Sequence, residues 1–266
     1  MEKLLGKLIK FDFKTQWFWY AAVFVFALII TAMVFFLAPE NKESSYVIRS
    51  VASVLIPSAT YILTVILGAT HFSENISGNG SYFLLSVPAK ISSQIAAKTI
   101  VFCLWFAGAF AVSQICISII NTNFITVVST DLFTLFRDRV NVLTQRGGIN
   151  GAVNLITECI NIAAIPLLLF GFITAAVAFG HLFGARRKLG KTIFIISFVI
   201  LFTALSFAYG YCREATFHQF YKISGDRYTL LLLMIFNILG SVILIAVTAA
   251  LYRFTHYVFT KRVNVI

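Results

Sequence analysis

The chain of 266 residues is 59% hydrophobic and only 12% charged, with a mean hydropathy of +0.91. Soluble domains carry about 25% charged residues, so this composition excludes a water-soluble globular protein and favours helices that face lipid. The net charge of +11 could suit a nucleic-acid binder, but Lys and Arg also mark the cytoplasmic loops of membrane proteins. Because no long basic run is interleaved with aromatic residues, no nucleic-acid partner is expected.

Residues 3–14 predict a basic amphipathic helix that lies on the inner leaflet of the membrane. Its apolar residues recur at helical spacing, and its lysines fall mostly on the other face. The apolar residues are Leu4, Leu5, Leu8, Ile9 and Phe13, and the basic ones are Lys3, Lys7, Lys10 and Lys14. A plain cytoplasmic anchor for the first span is the alternative, and both roles are compatible.

Six stretches have the roughly 20 apolar residues that a helix needs to cross a bilayer. The predicted fold is therefore all-α, a single transmembrane domain over residues 1–266. No cleavable signal peptide is expected, because the first stretch is too long for one. The predicted spans are about 17–37, 51–70, 95–120, 160–182, 192–211 and 230–252.

The basic residues predict the orientation of these spans. The shortest connection, residues 183–191, contains Arg186, Arg187, Lys188 and Lys191. A connection so short and basic is expected to stay in the cytoplasm, so both termini are predicted to be cytoplasmic as well.

The connection between the second and third spans is the most informative stretch. It reads HFSENISGNGSYFLLSVPAK from His71 to Lys90, where glycines break one helix and a short apolar block then ends at Pro88. A new helix follows. Such a block is either an ordinary connection or a short helix that docks into a partner protein.

This stretch resembles the corresponding loop of type-2 ABC exporter permeases. The shared elements are an acidic residue, a glycine, the block from Tyr82 to Lys90 and a lysine, Lys98, at the head of the third span. The resemblance implies that the 72–90 loop couples this chain to a separate ATPase subunit, which binds the ATP and Mg. The residues that carry this implied role are Glu74, Tyr82, Leu85, Pro88 and Lys90.

The same resemblance implies a multi-pass protein of a bacterial plasma membrane that works as a homodimer or with a similar permease. No cofactor and no enzyme activity are expected on this chain. The expected substrate is a hydrophobic or amphipathic peptide, and lipids, drugs and glycans stay open. A membrane scaffold or assembly factor that transports nothing is the alternative from another class. An intramembrane enzyme is disfavoured, because the spans show no paired carboxylates, HExxH or Ser/His arrangement.

Polar residues form partial stripes at helical spacing on two of the spans. These stripes either line a translocation pathway or join helices or protomers, and helix packing is the favoured interpretation. The candidate residues are Ser53, Thr60, Tyr61, Thr64, Asn237 and Ser241. The ionisable Lys98, Glu158 and His181 fall near span ends, which argues against a proton- or sodium-driven carrier.

The longest predicted external connection, residues 121–159, departs from the family plan. Thr130 is a plausible cap for an amphipathic helix, and Gly147, Gly148 and Gly151 predict a flexible turn after it. That helix either covers the exit of a pathway or packs on the bundle. Four cysteines show no metal-binding spacing, and a disulfide between Cys159 and Cys212 is an open alternative.

Overall fold

A computed structural model describes residues 2–37, 42–77, 91–121, 132–182, 192–197 and 226–263. Every one of these residues is helical, and no strand occurs among them. The long helices are α1 (Glu2–Leu37), α2 (Lys42–Ser77), α3 (Ile91–Asn121), α4 (Leu132–Leu182) and α5 (Asp226–Val258). A π-helical segment, Phe259–Val263, continues α5, and residues 192–197 form a short helix.

Among the described residues, five helical stretches are long and apolar enough to cross a membrane: Leu5–Leu37, Val47–Glu74, Ile91–Ile120, Cys159–Leu182 and Ile235–Lys261. The all-helical class expected from the sequence is therefore confirmed for the part of the chain that the structure describes, and the five candidate spans are consistent with a polytopic protein. Of the predicted fifth span, only residues 192–197 are described, so that span stays a prediction.

The chain divides into two compact units, Met1–Leu135 and Phe136–Ile266. In the first unit, α1, α2 and α3 pack against one another. Near one end Asp12 of α1 meets Lys98 of α3, and towards the other end Ala27 of α1 clusters with Ile56 of α2 and Cys116 of α3. The pairings show that α1 and α3 run parallel and that α2 runs antiparallel to both.

Gly68 is needed for the close approach of α2 and α3. A Cβ atom added there would lie 2.5 Å from Cδ2 of Phe102, whose side chain is almost fully buried. Because glycine has no such atom, the α2 backbone can lie directly on the aromatic ring.

In the second unit, α4 and α5 run parallel to each other. Asn161 contacts Ser241 at one level, and Thr174 contacts Thr255 further along both helices. Between these levels Gly171 lies against the ring of Tyr252. Phe194 of the short helix packs on Phe172 and Phe179 of α4.

Two boundaries differ from the prediction. Residues 3–14 do not form a separate helix but the first part of α1, which is continuous to Leu37. The prediction of a flexible turn at Gly147–Gly151 is wrong, because α4 is helical over 51 residues through these glycines. Thr130, the predicted cap, lies outside the described residues.

Candidate functional site

The first unit holds a buried ion pair between α1 and α3. Nζ of Lys98 donates to Oδ1 of Asp12 at 3.0 Å, and the two side chains are 7% and 9% exposed. Since α1 and α3 are parallel, residues near their N-terminal ends meet at the same level. The pair therefore links the beginning of the chain to the beginning of α3.

Two further polar residues, Gln16 and His71, lie near this ion pair. Gln16, one turn after Asp12 on α1, is buried, and Phe72 of α2 is 2% exposed. His71 is half-buried and within electrostatic range of both Asp12 and Lys98. Removing one partner of a buried ion pair typically costs about 3–5 kcal/mol, because the remaining charge stays buried without compensation.

An aromatic stack follows the ion pair along the same two helices. Trp105 of α3 lies between Phe13 and Tyr20 of α1, with ring centroids 4.5 Å and 4.7 Å away and interplanar angles of 9° and 4°. The ion pair and the stack together define the axial position of α1 relative to α3. Tyr20 is fully buried, and its hydroxyl has no hydrogen-bond partner among the described residues.

The predicted coupling residues are only partly described. Glu74 lies near the end of α2 and is exposed to solvent, whereas Tyr82, Leu85, Pro88 and Lys90 lie outside the described residues. The connection that carries them begins after Ser77 and ends before Ile91. Both of its ends are therefore at the end of the first unit that contains the Asp12–Lys98 pair.

The predicted stripe on α2 is satisfied by its own helix. The buried hydroxyls of Thr60 and Thr64 donate to the carbonyl oxygens one turn earlier, each at 2.8 Å. The hydroxyl of Ser53 donates to the Ser50 carbonyl oxygen at 2.7 Å, and the ring of Tyr61 packs against Phe106 of α3. Such internal bonds let polar residues occupy an apolar helix without a ligand.

The predicted stripe on α5 contacts α4 instead. The Ser241 hydroxyl lies 2.8 Å from Oδ1 of Asn161 and 2.8 Å from the Asn237 carbonyl oxygen, so it links the two helices. Asn237 and Ser241 are both buried. The two predicted stripes belong to different units. The described contacts of the stripe on α2 are within α2 and with α3, and those of the stripe on α5 are within α5 and with α4. A role for either stripe in a pathway stays a prediction.

The described part of the chain contains three of the four cysteines, and all three are free thiols. Within it, no group of three or more His, Cys, Asp or Glu side chains lies close enough to hold a metal ion. Cys159 is exposed and not in a disulfide, but Cys212 lies outside the described residues, so their pairing is untested.

Asp12 and Gln16 were not predicted as site residues, although the sequence carries a signal for both. Asp12, Gln16 and Tyr20 recur every four residues, so they fall on one face of α1. Lys7, Lys10 and Lys14 are exposed on the rest of that segment. The single acid of the lysine-rich segment 3–14, aligned with the polar face that packs inwards, indicates a buried partner of opposite charge.

The fold and these contacts define a polytopic helical membrane protein whose first three helices are joined by a buried polar cluster at one end. The chain matches no protein-family model, no curated protein and no solved structure.

Proposed function

We propose that this chain is the permease subunit of an ATP-driven ABC exporter in the plasma membrane of a bacterium. One observation carries the proposal: the exporter-like sequence from Tyr82 to Lys90 connects two helices whose neighbouring ends are tied to the start of the chain. An element that transmits force needs such an anchored base. The exposed Glu74, at the entry to the connection, is free to contact a partner subunit.

The parallel arrangement of α4 and α5 supports the fifth predicted span, which brings the total to six. Two parallel helices that both cross a bilayer require an odd number of crossings between them. The predicted span at 192–211 lies between them and supplies one crossing, and its first residues, 192–197, are helical. Six spans then place both termini on one side, the side that the basic residues predict to be cytoplasmic.

In this proposal the energy comes from ATP and Mg bound by a partner ATPase. Two copies of this chain, or one copy with a similar permease, form the pathway with two ATPase subunits. The described helices expose many large apolar side chains, which suits an amphipathic peptide that enters from the bilayer. Lipid, drug or glycan substrates are the alternatives within the same class.

The test is a pull-down of the tagged chain from its native membrane in mild detergent. We expect an ABC ATPase at about one copy per permease, and we expect Leu85→Glu to abolish its recovery, because a charge would be buried in an apolar groove. The matched control is Leu189→Glu, which places the same charge in another connection predicted to be cytoplasmic. Both variants should insert at normal yield.

Recovery of the ATPase with Leu85→Glu at the normal level would disprove the assignment of the coupling loop. If the unchanged chain brings down no ATPase, even with a non-hydrolysable nucleotide, the exporter proposal fails and the scaffold alternative is favoured. Stimulation of ATP hydrolysis by added peptides would then separate a transporter from a scaffold in any complex that is recovered.

A further inference from the structure

The buried Asp12–Lys98 pair lies where the proposed coupling loop meets the rest of the first unit. Lys98 is two helical turns after Ile91, the first described residue that follows the loop. Asp12 lies on α1, which has no chain connection to the loop except through the whole of α2. Any movement of the loop can therefore reach the start of α1 directly only through contacts between helices.

We infer that Asp12 and Lys98 form the joint that makes the start of α1 move together with the coupling loop, an inference that rests on the proposed function. The pair is suited to this because its bond is directional and short, at 3.0 Å, with both side chains less than one tenth exposed. Apolar helix faces tolerate small sliding movements, whereas a buried charge cannot leave its partner without remaining uncompensated.

The neighbouring contacts separate this role from simple packing. The stack of Phe13, Trp105 and Tyr20 also joins α1 to α3, but it lies further from the loop and involves only aromatic rings. From α2, the half-buried His71 is within electrostatic range of both members of the pair. The ion pair is thus a charged, direction-specific contact between α1 and α3 at the end of the unit from which the loop begins.

The alternative role is purely structural, in which the pair only stabilises the unit. Two double variants distinguish these roles. D12L/K98M replaces the pair by apolar residues of similar length, which often preserves or raises stability. D12K/K98D exchanges the charges and keeps an ionic contact. If Asp12 and Lys98 are positioning residues, the exchanged pair should preserve the coupled movement of α1 and the loop, and the apolar pair should not.

The experiment follows single cysteines in the permease–ATPase complex, with the four native cysteines replaced by alanine. Lys10→Cys reports on the exposed face of α1, and Ser92→Cys reports on the exposed head of α3 next to the loop. Each is labelled with a membrane-impermeant maleimide with and without trapping of the ATPase by ATP and vanadate. The melting temperature of every variant is measured in the same detergent.

With the native pair, we expect trapping to change the labelling rate at both positions by at least about fivefold, the lower end of ordinary coupling between sites. In D12L/K98M the response at Ser92→Cys should persist and the response at Lys10→Cys should disappear, at an unchanged melting temperature. In D12K/K98D both responses should return.

Three results would overturn the inference. One is a full response of Lys10→Cys in D12L/K98M, which would leave the pair a structural role only. Another is a response at Ser92→Cys but not at Lys10→Cys when Asp12 and Lys98 are unchanged. This result can be obtained without either double variant, and it would leave the proposed function intact. The third is a lack of response at both positions, or of any bound ATPase, which removes the proposed function and the inference with it.

Discussion

At the scale of single residues, the buried polar groups of the first unit differ in whether they have a hydrogen-bond or ionic partner. The carboxylate of Asp12 and the ammonium of Lys98 neutralise each other, and the hydroxyls of Thr60 and Thr64 bond to their own helix. The Tyr20 hydroxyl differs, since it is fully buried and has no hydrogen-bond partner among the described residues. A buried polar group that makes no hydrogen bond lowers stability.

We therefore expect Tyr20→Phe to keep or raise the stability of the protein, by up to about 1 kcal/mol, because the ring stays stacked on Trp105 while an unsatisfied hydroxyl is removed. The melting temperature in detergent is the measurement. Tyr257→Phe is the control, since Tyr257 is 57% exposed and its hydroxyl can be solvated, so no change is expected. A clear loss of stability in Tyr20→Phe alone would show that the hydroxyl has a partner, such as a bound water.

At the scale of the helices, the sequence predicts ends better than beginnings. The first and fourth predicted spans end at residues 37 and 182, where α1 and α4 end. The helices begin earlier in the chain than the predicted spans do. For example, α1 has 36 residues and a length of about 54 Å, more than the roughly 30 Å of hydrocarbon that a span has to cross. Hydropathy detects only the part that faces lipid, so it cannot show where a helix continues into protein contacts.

Helix packing and pairing were harder to predict than the helices themselves. Gly147 and Gly148 lie inside α4, although each glycine costs about 1 kcal/mol relative to alanine, because helix propensity is a weak preference that context overrides. Asp12 and Lys98 are 86 residues apart, and no local pattern states which helices become neighbours. The charge of Asp12, on the face of α1 that it shares with Gln16 and Tyr20 and not with the exposed lysines, was the available signal.

The contact of α2 with α3 gives a prediction at this scale. Gly68→Ala would place a methyl group 2.5 Å from the Phe102 ring, and that ring is buried and has little room to move. We expect a loss of about 1–3 kcal/mol, the usual cost of overpacking. The melting temperature in detergent measures it.

Gly6→Ala is the matched control, because a Cβ there meets nothing within 4 Å. It should be neutral or stabilising by up to about 1 kcal/mol through helix propensity. Adding Phe102→Leu to Gly68→Ala should restore part of the stability, because a leucine side chain can adopt rotamers that avoid the methyl group. Equal stability of Gly68→Ala and the unchanged protein would show that α2 and α3 do not approach as closely as described.

At the scale of the whole molecule, the directions of the helices within each unit constrain the number of membrane crossings. In the first unit α1, α2 and α3 alternate in direction, as consecutive spans must. In the second unit α4 and α5 are parallel, so the 183–225 connection has to cross the bilayer an odd number of times if both helices span it. The odd number of crossings follows from contacts within the second unit alone and does not depend on the basic residues that predict the orientation.

The consequence can be measured with single cysteines in the cysteine-free chain, in sealed vesicles of known orientation. Leu189→Cys, just after the fourth span, should react only with a maleimide supplied from the cytoplasmic side. Lys222→Cys, just before α5, should react only from the opposite side, because one crossing separates the two positions. Lys261→Cys, at the exposed end of the last span, is the control and should share the side of Leu189→Cys. If Leu189→Cys and Lys222→Cys react from the same side, an even number of crossings separates them. Either the span predicted at 192–211 or the membrane-spanning role of α4 or α5 then has to be abandoned.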